Sequence, residues 1–288
     1  MKCRVAIGCE SSRAGAIDAL ERVRGIVRRH GTIVAELPAE KSPLPEGLAI
    51  DRLVSVGGDG TFLAQARRAH ARDIPVVGVN AGRLGFLTTY TVDALERHAA
   101  MVFGPNAIMD HRSVLSVAMR RNGDSIDGIC VNDCVIAAGD PFTMVQLRLT
   151  IDGEPGPVFR GDGLIFATAL GSTAYNLSGG GPIVHPDANV LLVTPIAPHS
   201  LSFRPIVLTG AAEVRVRVER ANPGTTVMVD GQPACRVAAE DEILVRGNSR
   251  GVRVVANPEG RYWQTLQRKM RWAEAPAYAP ETEAPPGN

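Results

Sequence analysis

The chain has 288 residues, 45% hydrophobic and 21% charged, which is the balance of a soluble globular protein with one large or two medium domains. A formal charge of +1 gives no field for nucleic acid, and no basic block argues for a membrane surface. The longest apolar runs, such as Gly163–Leu170, fall far short of the ~20 residues that cross a bilayer, and the five cysteines form no C-x-x-C pair.

In chain order, the opening segment reads as a short buried strand, Val5–Gly8, rather than a secretory leader. With its cysteines taken as small reduced thiols, the chain is expected in the cytoplasm. Ala14–Arg29 carries Ile17, Leu20, Val23 and Ile26 at every third position, one face of a helix. Leu53–Val56 is a second strand, Gly57–Gly60 a turn, and the residues to about Ala71 a helix, followed by a third strand at Pro75–Val79. Short apolar strands alternating with helices predict an α/β domain built on a parallel sheet. Ligands of such sheets bind beyond the carboxyl ends of the strands, where Gly57–Gly60 and Asn80–Gly85 both lie.

After about Phe103 the pattern changes. Val114–Met119, Val145–Ile151, Val214–Val218, Thr226–Val229 and Ile243–Arg246 read as strands, divided by turn signals at Asn122-Gly123, Asp152-Gly153, Asp230-Gly231 and Gly247-Asn248. Arg215 and Arg217 alternate with Val214, Val216 and Val218, as in a strand with one wet face. This half is expected to be β-rich and sandwich-like, with the site between the halves. Tyr262–Trp272 turns helical again, and residues 276–288, rich in Pro and Glu, are expected to be disordered.

Four motifs carry chemistry. Gly57-Gly58-Asp59-Gly60-Thr61 joins a strand to a helix, so backbone N–H groups and the helix dipole can face an anion, while no Gly-Lys-Ser/Thr follows as in a P-loop. A carboxylate in such a cradle is unwelcome without a task, and Asp59 could take a proton from an attacking hydroxyl or hold magnesium. Gly78-Val79-Asn80-Ala81-Gly82-Arg83-Leu84-Gly85-Phe86-Leu87 leaves the next strand. Asn132-Asp133 offers either an Asx turn or a pair able to grip two ribose hydroxyls. The fourth stretch runs from Arg160-Gly161-Asp162-Gly163 to Gly171-Ser172-Thr173-Ala174-Tyr175-Asn176-Leu177-Ser178-Gly179-Gly180-Gly181-Pro182, and by composition alone reads as a flexible loop.

In this order and spacing, from about Val54 to Trp272, the motifs resemble those of the NAD kinase family. The resemblance implies phosphoryl transfer from ATP or polyphosphate, with Mg2+, to the 2′-hydroxyl of the adenosine ribose of NAD, forming NADP. It implies Asp59 as the catalytic base and Gly57, Gly58, Gly60 and Thr61 around the donor phosphates. Contacts to NAD are implied at Phe86, Asn132, Asp133, Arg160, Asp162, Thr173, Ala174, Tyr175, Ser178, Ala197 and Gln232, Ala197 belonging to Pro195–Pro205. Asp162 and Ser178 would address the nicotinamide carboxamide. No dedicated metal ligands are implied.

The closing helix would return to the first domain, giving residues 1–103 with 257–275 as the α/β domain, 104–256 as the β-rich NAD-binding domain and 276–288 as a tail. Homodimers or homotetramers are implied. One departure stands out: Thr168-Ala169-Leu170 replaces the family's Thr-Pro-Thr/Ser, and Leu170 cannot hydrogen-bond an adenine edge. Two rivals were open. A lipid kinase of the same superfamily would need an apolar acyl pocket, and a non-catalytic dinucleotide sensor would bind without turnover.

Overall fold

A computed structural model describes residues 2–9, 14–38, 43–82, 85–121 and 124–272. Arg83 and Leu84, the turn at Asn122-Gly123 and the tail 276–288 lie outside the described residues. The first half comprises β1 (Cys3–Cys9), α1 (Ala14–His30), β2 (Gly31–Pro38), β3 (Arg52–Gly57), α2 (Asp59–His70), β4 (Val76–Asn80) and α3 (Val92–Val102). Its strands pair in parallel in the order β2-β1-β3-β4. The expected helix at residues 14–29 forms, but its buried face runs through Ala16, Leu20, Val23 and Val27. Ile17, expected on that face, is 52% exposed, because one step from Ala16 rotates a side chain by about 100°. β2 and α3 lie beyond the sequence-based expectation. β2 is an edge strand with mostly half-buried residues, so its sequence carries little apolar signal.

The second half comprises β5 (Met109–Arg121), β6 (Asp124–Cys130), β7 (Asp133–Ala137), β8 (Val145–Ile151), β9 (Glu154–Gly161), β10 (Gly163–Thr168), a 3-10 turn at Leu170–Thr173, α4 (Tyr175–Ser178), β11 (Val190–Ile196), β12 (Ile206–Thr209), β13 (Glu213–Arg220), β14 (Thr226–Val229), β15 (Gln232–Arg236) and β16 (Glu242–Val255). A six-stranded sheet, β12-β11-β10-β7-β14-β15, packs over the antiparallel strands β16, β13, β8 and β9. The core between them holds Ile136, Phe166 and Val193 from one layer and Leu147, Val216 and Val245 from the other, a β-sandwich. The turns expected at Asp152-Gly153 and Asp230-Gly231 both form, with positive φ at each residue (50° and 84°, 47° and 75°) as tight hairpins demand.

The turn expected at Gly247-Asn248 does not end a strand. β16 continues to Val255, with a register shift against β5 between Asn248 and Val252. A Cβ on Gly247 would stand 1.7 Å from the Gly210 carbonyl oxygen, so glycine here permits a close backbone approach. β16 then reaches β4, where Val254 pairs with Val76 in parallel, and one sheet runs unbroken through both halves.

α1 and α3 cover one face of the parallel sheet, with Val23, Ile26 and Leu95 against Val5, Val54 and Val77. α2 covers the other, and Phe62, Leu63 and Ala66 cluster with Val114, Val131 and Val252 of the second half. It is therefore the helix that both halves share. The final helix, α5 (Tyr262–Met270), stops two residues short of Trp272, at Arg271 with φ 50°. It spans the junction: Lys269 Nζ lies 4.8 Å from the centre of the Phe86 ring, and Tyr262 donates to Val184 O at 3.3 Å.

Candidate active site

Asp59 is the first residue of α2, with Gly58 as a cap that supplies no side chain. The opening amides of a helix have no intrahelical acceptor, and Gly58 and Gly60 leave the bend open in front of them. The Asp59 carboxylate turns away from those amides toward the loop after β4. Its Oδ2 accepts from Phe86 N at 2.9 Å; its Oδ1 accepts from Leu87 N at 3.0 Å, Thr88 N at 3.2 Å and Thr88 Oγ1 at 3.3 Å. Gly85 makes this possible, since a Cβ there would stand 1.8 Å from Oδ1. The first two motifs are thus one unit: the acid of the bend holds the second loop by its backbone. Oδ2, with a single donor among the described residues, keeps a lone pair for other work.

Of the two readings of Asn132-Asp133, the Asx turn is not what holds this loop. A different carboxylate takes its amides: Asp230 Oδ1 accepts from Val131 N at 3.0 Å, Asn132 N at 2.7 Å and Asp133 N at 3.3 Å. Thr168 closes the loop from the other side, donating through Oγ1 to Val131 O at 2.7 Å while its own amide donates to Asn132 O at 2.9 Å. The side chains of Asn132 and Asp133 are left for other work. Asn132 Oδ1 is buried without a hydrogen-bond partner, a costly state for an amide oxygen. Asp133 is 4% exposed, and burial first, then the Asp230 charge, pushes its carboxyl up to about 7.

The Gly/Ser-rich stretch is held in place rather than loose. Asn176, fully buried, donates to Ser172 O at 3.1 Å and Pro182 O at 3.0 Å and accepts from Thr194 Oγ1 at 2.7 Å. Ser172 and Val184 exchange two further hydrogen bonds at 3.1 Å. Around this frame Thr173 and Ala174 are half-buried, and Tyr175 and Ser178 are exposed on α4. A cavity of about 620 Å3 opens beside it, lined among others by Phe86, Leu170, Thr173, His185, Tyr262 and Arg268. Leu170 makes part of its apolar wall, beside Phe62 and Ala169.

Four expected site residues lie elsewhere. In the six-stranded sheet Asp133 pairs with Ala167 of β10, whereas Asp162 precedes the other end of that strand. Five residue steps separate Asp162 from Ala167, roughly 17 Å. Asp162 and Ala197 are exposed there, close to the Arg160 backbone, and Arg160 donates to Gln146 Oε1 at 2.9 Å. Gln232 lines a second cavity, of about 630 Å3, between α2 and the β14–β15 hairpin. Among the described residues no group of His, Cys, Asp or Glu could cage a metal ion. A divalent cation accompanying a nucleotide would take its ligands from phosphates and water, the usual habit of magnesium.

Sequence reasoning did not find Asp230, Arg67, Thr168 or Asn176 as parts of the site. Asp230 carried a turn signal, but nothing local shows where its carboxylate points. Asn176 stood inside the motif, but nothing in the sequence marks its side chain as the buried brace.

The ATP-NAD kinase N-terminal domain model matches residues 45–106, and the ATP-NAD kinase C-terminal domain model matches 131–256. The NAD kinase of Magnetococcus marinus is 37% identical over 225 residues, which are 78% of this chain and 74% of that protein. The NAD kinase of Pseudomonas syringae pv. syringae is 35% identical over 276 residues, covering 90% of this chain and 93% of that one. An Archaeoglobus fulgidus NAD kinase in complex with ATP superposes with a TM-score of 0.74 at 25% identity, over 93% of this chain and 98% of that one. A yeast NADH kinase complexed with NADH shares the fold, with a TM-score of 0.87 at 24% identity over 96% and 90% of the two chains.

Proposed function

The chain belongs to the NAD kinase family, and from that premise we propose how its residues phosphorylate NAD with ATP. The acceptor is the 2′-hydroxyl of the adenosine ribose, and the product is NADP. Phosphoryl transfer depends on alignment and charge neutralisation more than on covalent help. The open amides of Gly58–Thr61 hold the donor phosphates, accompanied by magnesium. Asn132 and Asp133 take the ribose hydroxyls, the acceptor hydroxyl donating to Asp59. The observation that carries this reading is the Asp59 carboxylate: fixed by four donors, yet with Oδ2 holding only one of them, it is aimed and still able to accept a proton.

Thr173, Ala174, Tyr175 and Ser178 line the rest of the dinucleotide. Arg160, Asp162 and Ala197 lie roughly 17 Å from Asp133 along β10 and do not share its ribose; in the homodimer or homotetramer that we propose, they serve a ligand held by a second copy. Leu201, 90% exposed, and Ile206 and Val207 on the edge strand β12 supply apolar surface near that end. The enzyme acts in the cytoplasm, and among the described residues no helix is long and apolar enough to cross a membrane.

The test is NADP formation by purified protein with NAD, magnesium and either ATP or polyphosphate. Asp59→Asn should lower kcat by about 10²–10⁴-fold, the usual contribution of a positioned base. Because the amide also loses acceptors for the loop at Phe86–Thr88, the KM for NAD should rise as well. Near-normal turnover by this variant would remove Asp59 from the chemistry.

A further inference from the structure

We propose that the ion pair between Arg67 and Asp230 is the positioning element that sets the ribose-gripping loop against the phosphate bend. The proposal rests on the kinase reading above and extends it to two residues that touch neither substrate.

The pair joins the two halves of the site through few, stiff parts. Arg67 lies on α2 eight residues after Asp59, two turns along one helix, so the guanidinium and the base move as one body. Asp230 sits at the β14–β15 turn with its side chain fully buried. Its two oxygens divide the work. Oδ1 takes the amides of residues 131, 132 and 133, while Oδ2 takes Arg67 Nη1 at 2.5 Å and Val131 N at 3.1 Å. The backbone amide of Asp230 also donates to Asp133 O at 2.9 Å, so loop and turn are clasped in both directions.

The path from base to ribose grip is then Asp59, one helix, Arg67, one carboxylate, Asn132-Asp133. Asp59 fixes the loop at 86–88 in its own half and has no bond to the 131–133 loop. In-line transfer demands that base and acceptor hydroxyl meet within hydrogen-bond reach. A misplacement of about 1 Å can cost roughly 10²-fold in rate. A guanidinium suits the task because it stays charged across the working pH range, and its Nη1 meets the buried Oδ2 directly.

The experiment compares Arg67→Met, which keeps the bulk and removes the charge, with Arg67→Lys, which keeps the charge. Both are assayed well below their melting temperatures, with active protein counted by NAD binding. The expected result is a kcat about 10–100-fold lower for Arg67→Met, with the KM for ATP within threefold of wild type, and a kcat for Arg67→Lys recovered to within about fivefold of wild type. Asp230→Asn, which retains an acceptor for the loop amides, should lower kcat in the same way, and combining it with Arg67→Met should add little further loss. A purely structural pair would lower the amount of active protein and leave kcat per active site unchanged; that outcome overturns the proposal, as does independent loss in the double variant. If Arg67→Met does not fold, Arg67→Lys and Asp230→Asn decide alone. Failure of the wild type to form NADP would overturn the kinase reading instead.

Discussion

The two halves of the site use the same device with opposite electrostatics. In the α/β half, Asp59 takes three consecutive backbone amides, those of residues 86, 87 and 88. In the β half, Asp230 takes three consecutive amides at 131, 132 and 133. The Asp230 side chain is fully buried and neutralised by Arg67, whereas Asp59 is half-buried and has no cationic partner among the described residues. A buried, neutralised carboxylate can only hold a loop. A half-buried one with a spare lone pair and no counter-ion can hold a loop and still receive a proton. The comparison teaches that the reactive acid is marked by the partner it lacks rather than by the bonds it makes.

The contrast is broken most severely by truncating each acid. Asp230→Ala leaves the Arg67 guanidinium and three loop amides without their acceptor, and removing one partner of a buried pair costs about 3–5 kcal/mol. Asp59→Ala also frees three amides, but nearer to water, and should cost roughly 1–2 kcal/mol. Urea unfolding of the two variants beside wild type measures the difference. Equal losses would erase the distinction between a holding acid and a reacting one.

That distinction was only half legible in the sequence. Asp59 could be found because the glycines that open the phosphate bend are its chain neighbours, so the chemistry is written in five consecutive residues. Asp230 could be read as a turn residue, and its φ of 47° bears that out. A separation of 98 positions from Asn132 hides its other role, which exists only because β7 and β14 pair side by side. The parallel sheet and the sandwich followed from apolar periodicity. Their fusion did not: Gly247-Asn248 carries a turn signature, and only the neighbouring Gly210 backbone reveals it as a close approach within a longer strand. The departure at Leu170 was legible as chemistry, but its place in a cavity wall was not.

A finer test separates the ribose pair from the acid that holds it. The Asp133 carboxyl is raised from 3.8 to about 7, by burial and then by the Asp230 charge. The folded protein therefore binds more protons here than the unfolded chain between roughly pH 4 and pH 7. The stability this group contributes is complete below about pH 4 and is lost as pH rises through 7. Asp133→Asn removes the titration, so its stability relative to wild type should climb across that window and level off above it. The gain should be on the order of 2–4 kcal/mol. Unfolding at pH 5 and pH 8 suffices, and parallel curves for the two proteins would mean that the carboxyl is well solvated.

The smallest effect concerns the wall between the halves. Leu170 belongs to the 3-10 turn that follows Thr168, and it packs in the cluster around Phe62 and Leu87 while lining the cavity beside Thr173. Leu170→Ser restores a side chain able to hydrogen-bond an adenine edge, worth about 1 kcal/mol, or roughly fivefold in affinity. The same change removes apolar contact from a half-buried position, at a similar cost to the fold. The two effects fall on different states: the hydrogen bond exists only with the dinucleotide bound, whereas the apolar contact is lost from the free protein as well. The KM for NAD should therefore fall while the melting temperature drops by a few degrees. If the KM rises instead, the leucine is itself a contact for the base, and this chain reads adenine through an apolar wall where a hydroxyl was expected.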